Sequence, residues 1–109
     1  MPPPCREWTA ATNSWKVIHP NPGRYDLEKP PPRYLSAHTQ FRDTFIVHGG
    51  YMNPQYHDDL WVFNATVLSW VKITYRHRNF LVYNPRPTVR YGHSMTHVGD
   101  SLLLFGGFG

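Results

Sequence analysis

The sequence predicts an all-β protein of short antiparallel strands, and three observations carry that prediction. Pro occurs 11 times and Gly 8 times in 109 residues, a density of breakers that leaves little room for helices of ordinary length. Aromatic residues make up 16% of the chain and include 4 Trp, whereas chains that stay disordered are poor in such bulk. The third observation is a repeat. With Arg33 placed on Arg90 and no gaps, Tyr34 falls on Tyr91, Thr39 on Thr96, Asp43 on Asp100 and Gly49-Gly50 on Gly106-Gly107. The apolar run Phe45-Ile46-Val47-His48 falls on Leu102-Leu103-Leu104-Phe105, at a constant offset of 57.

The elements follow in chain order. Trp8 and Trp15 align with Phe63 and Trp70 at an offset of 55, each an aromatic, six residues and then Trp. Lys16-Val17-Ile18 and Val71-Lys72-Ile73 continue them as strand-like stretches. Ser36 to Phe41 is a small, β-tolerant run. Thr44 to His48 is an apolar run closed by Gly49-Gly50, and Leu60 to Phe63 is another, closed by Asn64-Ala65-Thr66. Trp70 to Ile73 completes the set. Short β-rich runs bounded by turn residues are the strand signature. Four such strands in a period of roughly 40–55 residues are the signature of a propeller blade.

An early Arg33, a strand ending in Gly49-Gly50, the run Asp59-Leu60-Trp61-Val62-Phe63 and then Trp70 resemble the kelch-repeat family. Arg33 to Ile73 looks like one complete unit. The chain departs from the pattern at Leu35-Ser36, where the family has Gly-His (kept at Gly92-His93), and at Phe63 and Trp8, where it often has Tyr. The resemblance implies a kelch-type β-propeller of four-stranded antiparallel blades, with an incomplete ring. Its expected parts are the end of a preceding blade (1–18), a connection (19–32), a complete blade (33–73), a second connection (74–89) and the first half of the next blade (90–109). Arg33, Gly49, Gly50, Phe63, Trp70, Arg90, Gly106, Gly107, Trp8 and Trp15 are its structural motif. One blade and two halves fall short of the roughly 4–8 that close a ring. The expected remedies are neighbouring blades in a longer chain or self-association, and a poorly folded relic is the third account.

In an antiparallel blade, the loop after strand two and the connection after strand four leave from the same end. The segments 51–58 and 74–89 therefore share one face. Their Tyr51, Asn53, Tyr56, His57, Tyr75, Arg76, His77 and Arg78 are the candidate partner-binding residues, since loops on a rigid scaffold carry function and Tyr and Arg supply hot spots. The resemblance implies a protein or peptide partner there, and a non-enzymatic interaction module. The alternative is a fragment of a propeller enzyme of the galactose-oxidase type, but no copper-ligand set transfers residue by residue. No nucleophile elbow or phosphate loop is present, so no catalytic residue and no cofactor are expected.

His93 and His97 have spacing that puts two side chains on one strand face, yet no Cys or convergent carboxylate completes a metal set. The net charge of +4 comes from scattered Lys and Arg, dense only at Arg76-His77-Arg78, which disfavours nucleic acid. The longest apolar run falls far below the roughly 18 residues that span a bilayer, so no membrane partner is expected. A single cysteine, Cys5, excludes an internal disulfide. With no apolar leader core at the start, it leans toward an intracellular setting and leaves the compartment open.

Overall fold

The computed structural model describes residues 5–19, 29–74 and 86–109. Their regular structure is all strand: β1 (Arg6–Thr9), β2 (Ser14–Val17), β3 (Ala37–Phe41), β4 (Thr44–Met52), β5 (Gln55–Asn64), β6 (Ser69–Ile73), β7 (Ser94–Val98) and β8 (Ser101–Phe105). They form three antiparallel sheets, a hairpin β1-β2, a four-stranded meander β3-β4-β5-β6 and a hairpin β7-β8. Within each sheet sequence neighbours pair, because the intervening turns are tight. Arg42-Asp43 links β3 to β4. Between β5 and β6, the Asn64 side chain accepts hydrogen bonds from the amides of Thr66 (2.9 Å) and Val67 (3.3 Å), the self-made Asx turn that favours Asn at such corners.

Two strands are longer than the apolar runs suggest. Gly49-Gly50 does not end β4. Between His48↔Leu60 and Gly50↔His57 the ladder passes over Gly49 on β4 but both Asp58 and Asp59 on β5, so β5 carries the extra residue, and pairing resumes through Tyr51↔Tyr56. This is a β-bulge, in which an extra residue on one strand bends and twists it without stopping the pairing. The stretch expected as a loop over 51–58 is thus the tip of a hairpin, turning at Asn53-Pro54 with a cis peptide bond.

The repeat reappears in the hydrogen-bond register. Ala37↔His48 through Phe41↔Thr44 in β3-β4 map onto Ser94↔Phe105 through Val98↔Ser101 in β7-β8. Trp8↔Trp15 and Thr9↔Ser14 in β1-β2 map onto Phe63↔Trp70 and Asn64↔Ser69 in β5-β6. Isolated bridges repeat as well, Tyr34 to Tyr51 and Tyr91 to Phe108.

The core lies between the meander and the β7-β8 sheet. Side chains alternate across a strand, so Ala37, Ile46, Leu60 and Val62 share one face of the meander. Met95, Leu102 and Leu104 share the facing side of the second sheet, and these residues pack together with Phe41. The outer side of β8 is left bare, with Leu103 56% and Phe105 82% exposed.

Candidate functional site

The meander and the second sheet are joined at the glycine pair. Arg33 lies at its centre. Its guanidinium donates to both carboxylate oxygens of Asp59, and Nη1 also donates to the Gly49 carbonyl at 3.0 Å. Trp61 Nε1 donates to Asp59 Oδ2 at 2.8 Å. The Arg33 and Asp59 side chains keep only 5% and 14% of their exposure. Burial alone would raise the Asp59 pKa, but the bonds from Arg33 and Trp61 and the nearby positive charge outweigh it and hold the carboxyl at about 2. A bidentate, charge-assisted pair is the geometry in which such burial is tolerated. Arg90 repeats the arrangement, with Nη1 donating to the Gly106 carbonyl at 3.2 Å and Nε to the Thr88 carbonyl at 3.1 Å.

The seam itself admits no side chain. The Gly50 amide donates to the Arg90 carbonyl at 2.8 Å. A Cβ on Gly49 would lie 2.8 Å from that same oxygen and 2.8 Å from His93 Cε1. Gly49 also has φ +68°, a backbone region that favours glycine. Beneath it His48 Nδ1 and His93 Nε2 are 2.9 Å apart, one donating and the other accepting. Burial, and then the neighbouring His93, push the His48 pKa down to about 4. Burial, and then Arg90, also lower that of His93. Both imidazoles are therefore neutral structural groups near pH 7.

Above the seam, at the end of the sheet that carries the β4-β5 hairpin tip, five aromatic rings form a continuous surface. Tyr51 is the hub. Its ring centroid is 5.4 Å from that of Tyr34, 5.0 Å from Tyr56 and 5.4 Å from Tyr91. Tyr56 lies 5.6 Å from Tyr91, and Tyr91 lies 5.6 Å from Phe108. The tilted and edge-on geometries are the favoured ones for aromatic pairs. Tyr34, Tyr56 and Phe108 are substantially exposed. The hairpin holds Tyr51 and Tyr56 opposite each other, and the two bridges hold Tyr34 against Tyr51 and Tyr91 against Phe108. The patch thus sits on hydrogen-bonded backbone.

Of the sequence candidates, Tyr51 and Tyr56 lie in this patch. Asn53 is beside it at the hairpin tip and accepts from the Tyr51 hydroxyl at 3.3 Å. His57 faces inward, half-buried, its carbonyl accepting from the Arg90 amide at 3.1 Å. Burial, and then Arg33, lower its pKa. Tyr75, Arg76, His77 and Arg78 lie outside the described residues. Tyr34, Tyr91 and Phe108 were not among the candidates. The signal for two of them was the repeat itself, since Tyr follows Arg in both units. His93 and His97 part ways, His93 meeting His48 and His97 stacking on Phe41 at 4.4 Å. Among the described residues no three His, Cys, Asp or Glu side chains converge as a metal set would require.

No known family model matches the chain. Over 80 residues, 73% of its length, it is 31% identical to a probable serine/threonine-protein kinase of Dictyostelium discoideum. Over 84 residues, again 73% of its length, it is 33% identical to Tip elongation aberrant protein 1 of Schizosaccharomyces pombe. It spans only 6% and 7% of those two proteins.

Proposed function

We propose that this chain is a stretch of kelch-type β-propeller and that it acts as a non-enzymatic interaction module, holding a protein or peptide partner on its aromatic surface. The meander is then one blade and β7-β8 the first half of the next. The registers repeated at 57 and 55 residues and the Arg–glycine-pair geometry, present in both units, support the blade reading. The five-ring surface around Tyr51 carries the functional one. Rigid Tyr faces give contact area at little entropic cost, and their hydroxyls serve the polar rim that recognition surfaces need. Below it, Arg33, Asp59 and Trp61 are paired with one another, as a scaffold's polar groups are. The similarity to short stretches of two much longer proteins fits a module that serves within larger chains.

A displayed library of random peptides, selected on the immobilised chain, tests this. Tyr56 is exposed, so Tyr56→Ser should leave folding intact. If Tyr56 is a hot spot of about 2 kcal/mol, the substitution weakens the selected peptides by roughly 30-fold. Undiminished binding by Tyr56→Ser and by Tyr34→Ser would sink the assignment of the partner to this surface.

A further inference from the structure

The segment that leads into β3 has a burial rhythm of three. Pro30 and Arg33 are part-buried, whereas Lys29, Pro31, Pro32 and Tyr34 are exposed. A helix repeats about every 3.6 residues and a strand about every 2, but polyproline II has about three residues per turn. The sequence dictates that conformation. Each ring of Pro30-Pro31-Pro32 fixes its own φ near −65°. A residue before Pro is kept out of the α region, so Lys29, Pro30 and Pro31 are all held extended. The fold then decides which edge shows. The Arg33 side chain is drawn inward by the Asp59 carboxylate and the Gly49 carbonyl. Its Nε also donates to the Pro31 carbonyl at 3.2 Å, and Tyr34 exchanges two backbone hydrogen bonds of 3.0 Å with Tyr51. Pro31 and Tyr34, one turn apart, thus share an outward edge, with Pro32 on the next. In the second unit, which follows a complete sheet, Thr88 at the Pro31 position is still exposed and Tyr91 at the Tyr34 position still part-exposed. The edge stays open where one sheet follows another.

We infer that Pro31-Pro32-Arg33-Tyr34 is itself a ligand, which docks into the aromatic-lined groove of a WW-type module that reads Pro-Pro-x-Tyr. Such grooves take polyproline II because the conformation is formed before binding and little entropy is lost on ordering it. Here the backbone is pinned at both ends of the motif, which lowers that cost further. The Pro31-Pro32 edge enters between the rings of the groove, and the Tyr34 ring, 48% exposed, is the second anchor. The residue that such a motif leaves unspecified is the one this fold turns inward, Arg33. The same geometry disfavours an SH3-type groove, which reads Pro-x-x-Pro. Three residues after Pro30, Pro31 and Pro32 stand Arg33, Tyr34 and Leu35, so no second Pro is in place. Charge agrees, because Arg33 is neutralised by Asp59 and the outward edge of Pro31, Pro32 and Tyr34 carries no ionised group, matching an uncharged aromatic groove. The inference does not depend on what the surface around Tyr51 holds, with which it shares only Tyr34.

The test titrates the full chain with a purified WW domain that takes Pro-Pro-x-Tyr peptides and, separately, with a purified SH3 domain. The WW domain should bind saturably, one to one, and the SH3 domain should not. Pro32→Ala and Tyr34→Ser should each weaken the WW complex by about 10-fold or more, as loss of an anchor does. Lys29→Ala, off the recognised edge, should change it by less than about twofold. Urea midpoints check that each variant folds. Should one fail to fold, the amide shifts of the unaltered chain on adding the WW domain decide instead, and they should centre on residues 31–35. A synthetic peptide of residues 28–36 should compete. Binding by that peptide but not by the folded chain, shifts centred elsewhere, equal losses in Lys29→Ala and Pro32→Ala, or a preference for the SH3 domain overturns the inference. Pro32→Ala should keep the peptides selected on the surface around Tyr51, so the two assignments fail separately.

Discussion

Alanine at Gly49 should cost far more stability than alanine at Gly92, although the two backbones are nearly the same. Gly49 has φ +68° and Gly92 φ +70°, so each substitution carries a left-handed strain of about 1–2 kcal/mol. Only their surroundings differ. Nothing lies within 4 Å of a Cβ on Gly92, whereas one on Gly49 would lie 2.8 Å from the Arg90 carbonyl oxygen and from His93 Cε1. To reach ordinary contact, the two sheets must part by about 0.6 Å at the seam, a gap that forfeits a sizeable part of each dispersion contact. Overpacking of this kind costs about 1–3 kcal/mol. The Gly50 amide bond to the Arg90 carbonyl (2.8 Å) is lost with it, at about 0.5–1.5 kcal/mol. The sum for Gly49→Ala is about 2.5–6.5 kcal/mol, against about 1–2 kcal/mol for Gly92→Ala. A domain of this size holds only about 5–15 kcal/mol in all. Urea titrations followed by far-UV circular dichroism measure both. Leu35 occupies the position equivalent to Gly92 in the first unit with φ 56°, which shows that a side chain is tolerated there. Costs equal within about 0.5 kcal/mol, the limit of additivity errors, would show that the seam is not held as tightly as the glycine pair implies.

Acid should weaken the fold in two separate windows. The His48 pKa of about 4 in the folded chain lies below its ordinary value of about 6.5, so the unfolded chain binds the proton first. The His48 contribution to stability should therefore be lost from about pH 6.5 down to pH 4 and level off below, and His48→Asn should flatten that slope in urea midpoints taken from pH 7.5 to 4. Asp59, held at about 2 against an ordinary value of about 3.9, stabilises the fold above pH 4 and loses that contribution as pH falls toward 2. Asp59→Asn should abolish this second window. It also leaves the Arg33 guanidinium, 5% exposed, without its counter-charge, at a cost of about 3–5 kcal/mol at pH 7 readable by urea denaturation. A smaller loss than Gly92→Ala would mean that the Gly49 carbonyl and solvent suffice for Arg33.

What the sequence determined by itself was local and periodic. Strand identity is written in β-rich runs bounded by Gly, Pro and Asn, and the turns at Arg42-Asp43 and after Asn64 are encoded within a few residues. The repeat needed only counting, and it located the glycine pairs, the aromatic pairs and Arg33 and Arg90. Tertiary structure decided the rest. The bulge at His48/Gly50 depends on how β4 meets β5, so neither the length of those strands nor the hairpin at Asn53-Pro54 could be read from apolar runs. Asp59 has no visible partner in sequence, because Arg33 reaches it only once β3, β4 and β5 are laid side by side. The His48–His93 contact and the surface shared by Tyr34, Tyr51, Tyr56, Tyr91 and Phe108 join residues from both units. Such contacts are set by how one sheet packs on the next, a long-range geometry for which a single chain of letters has no local period.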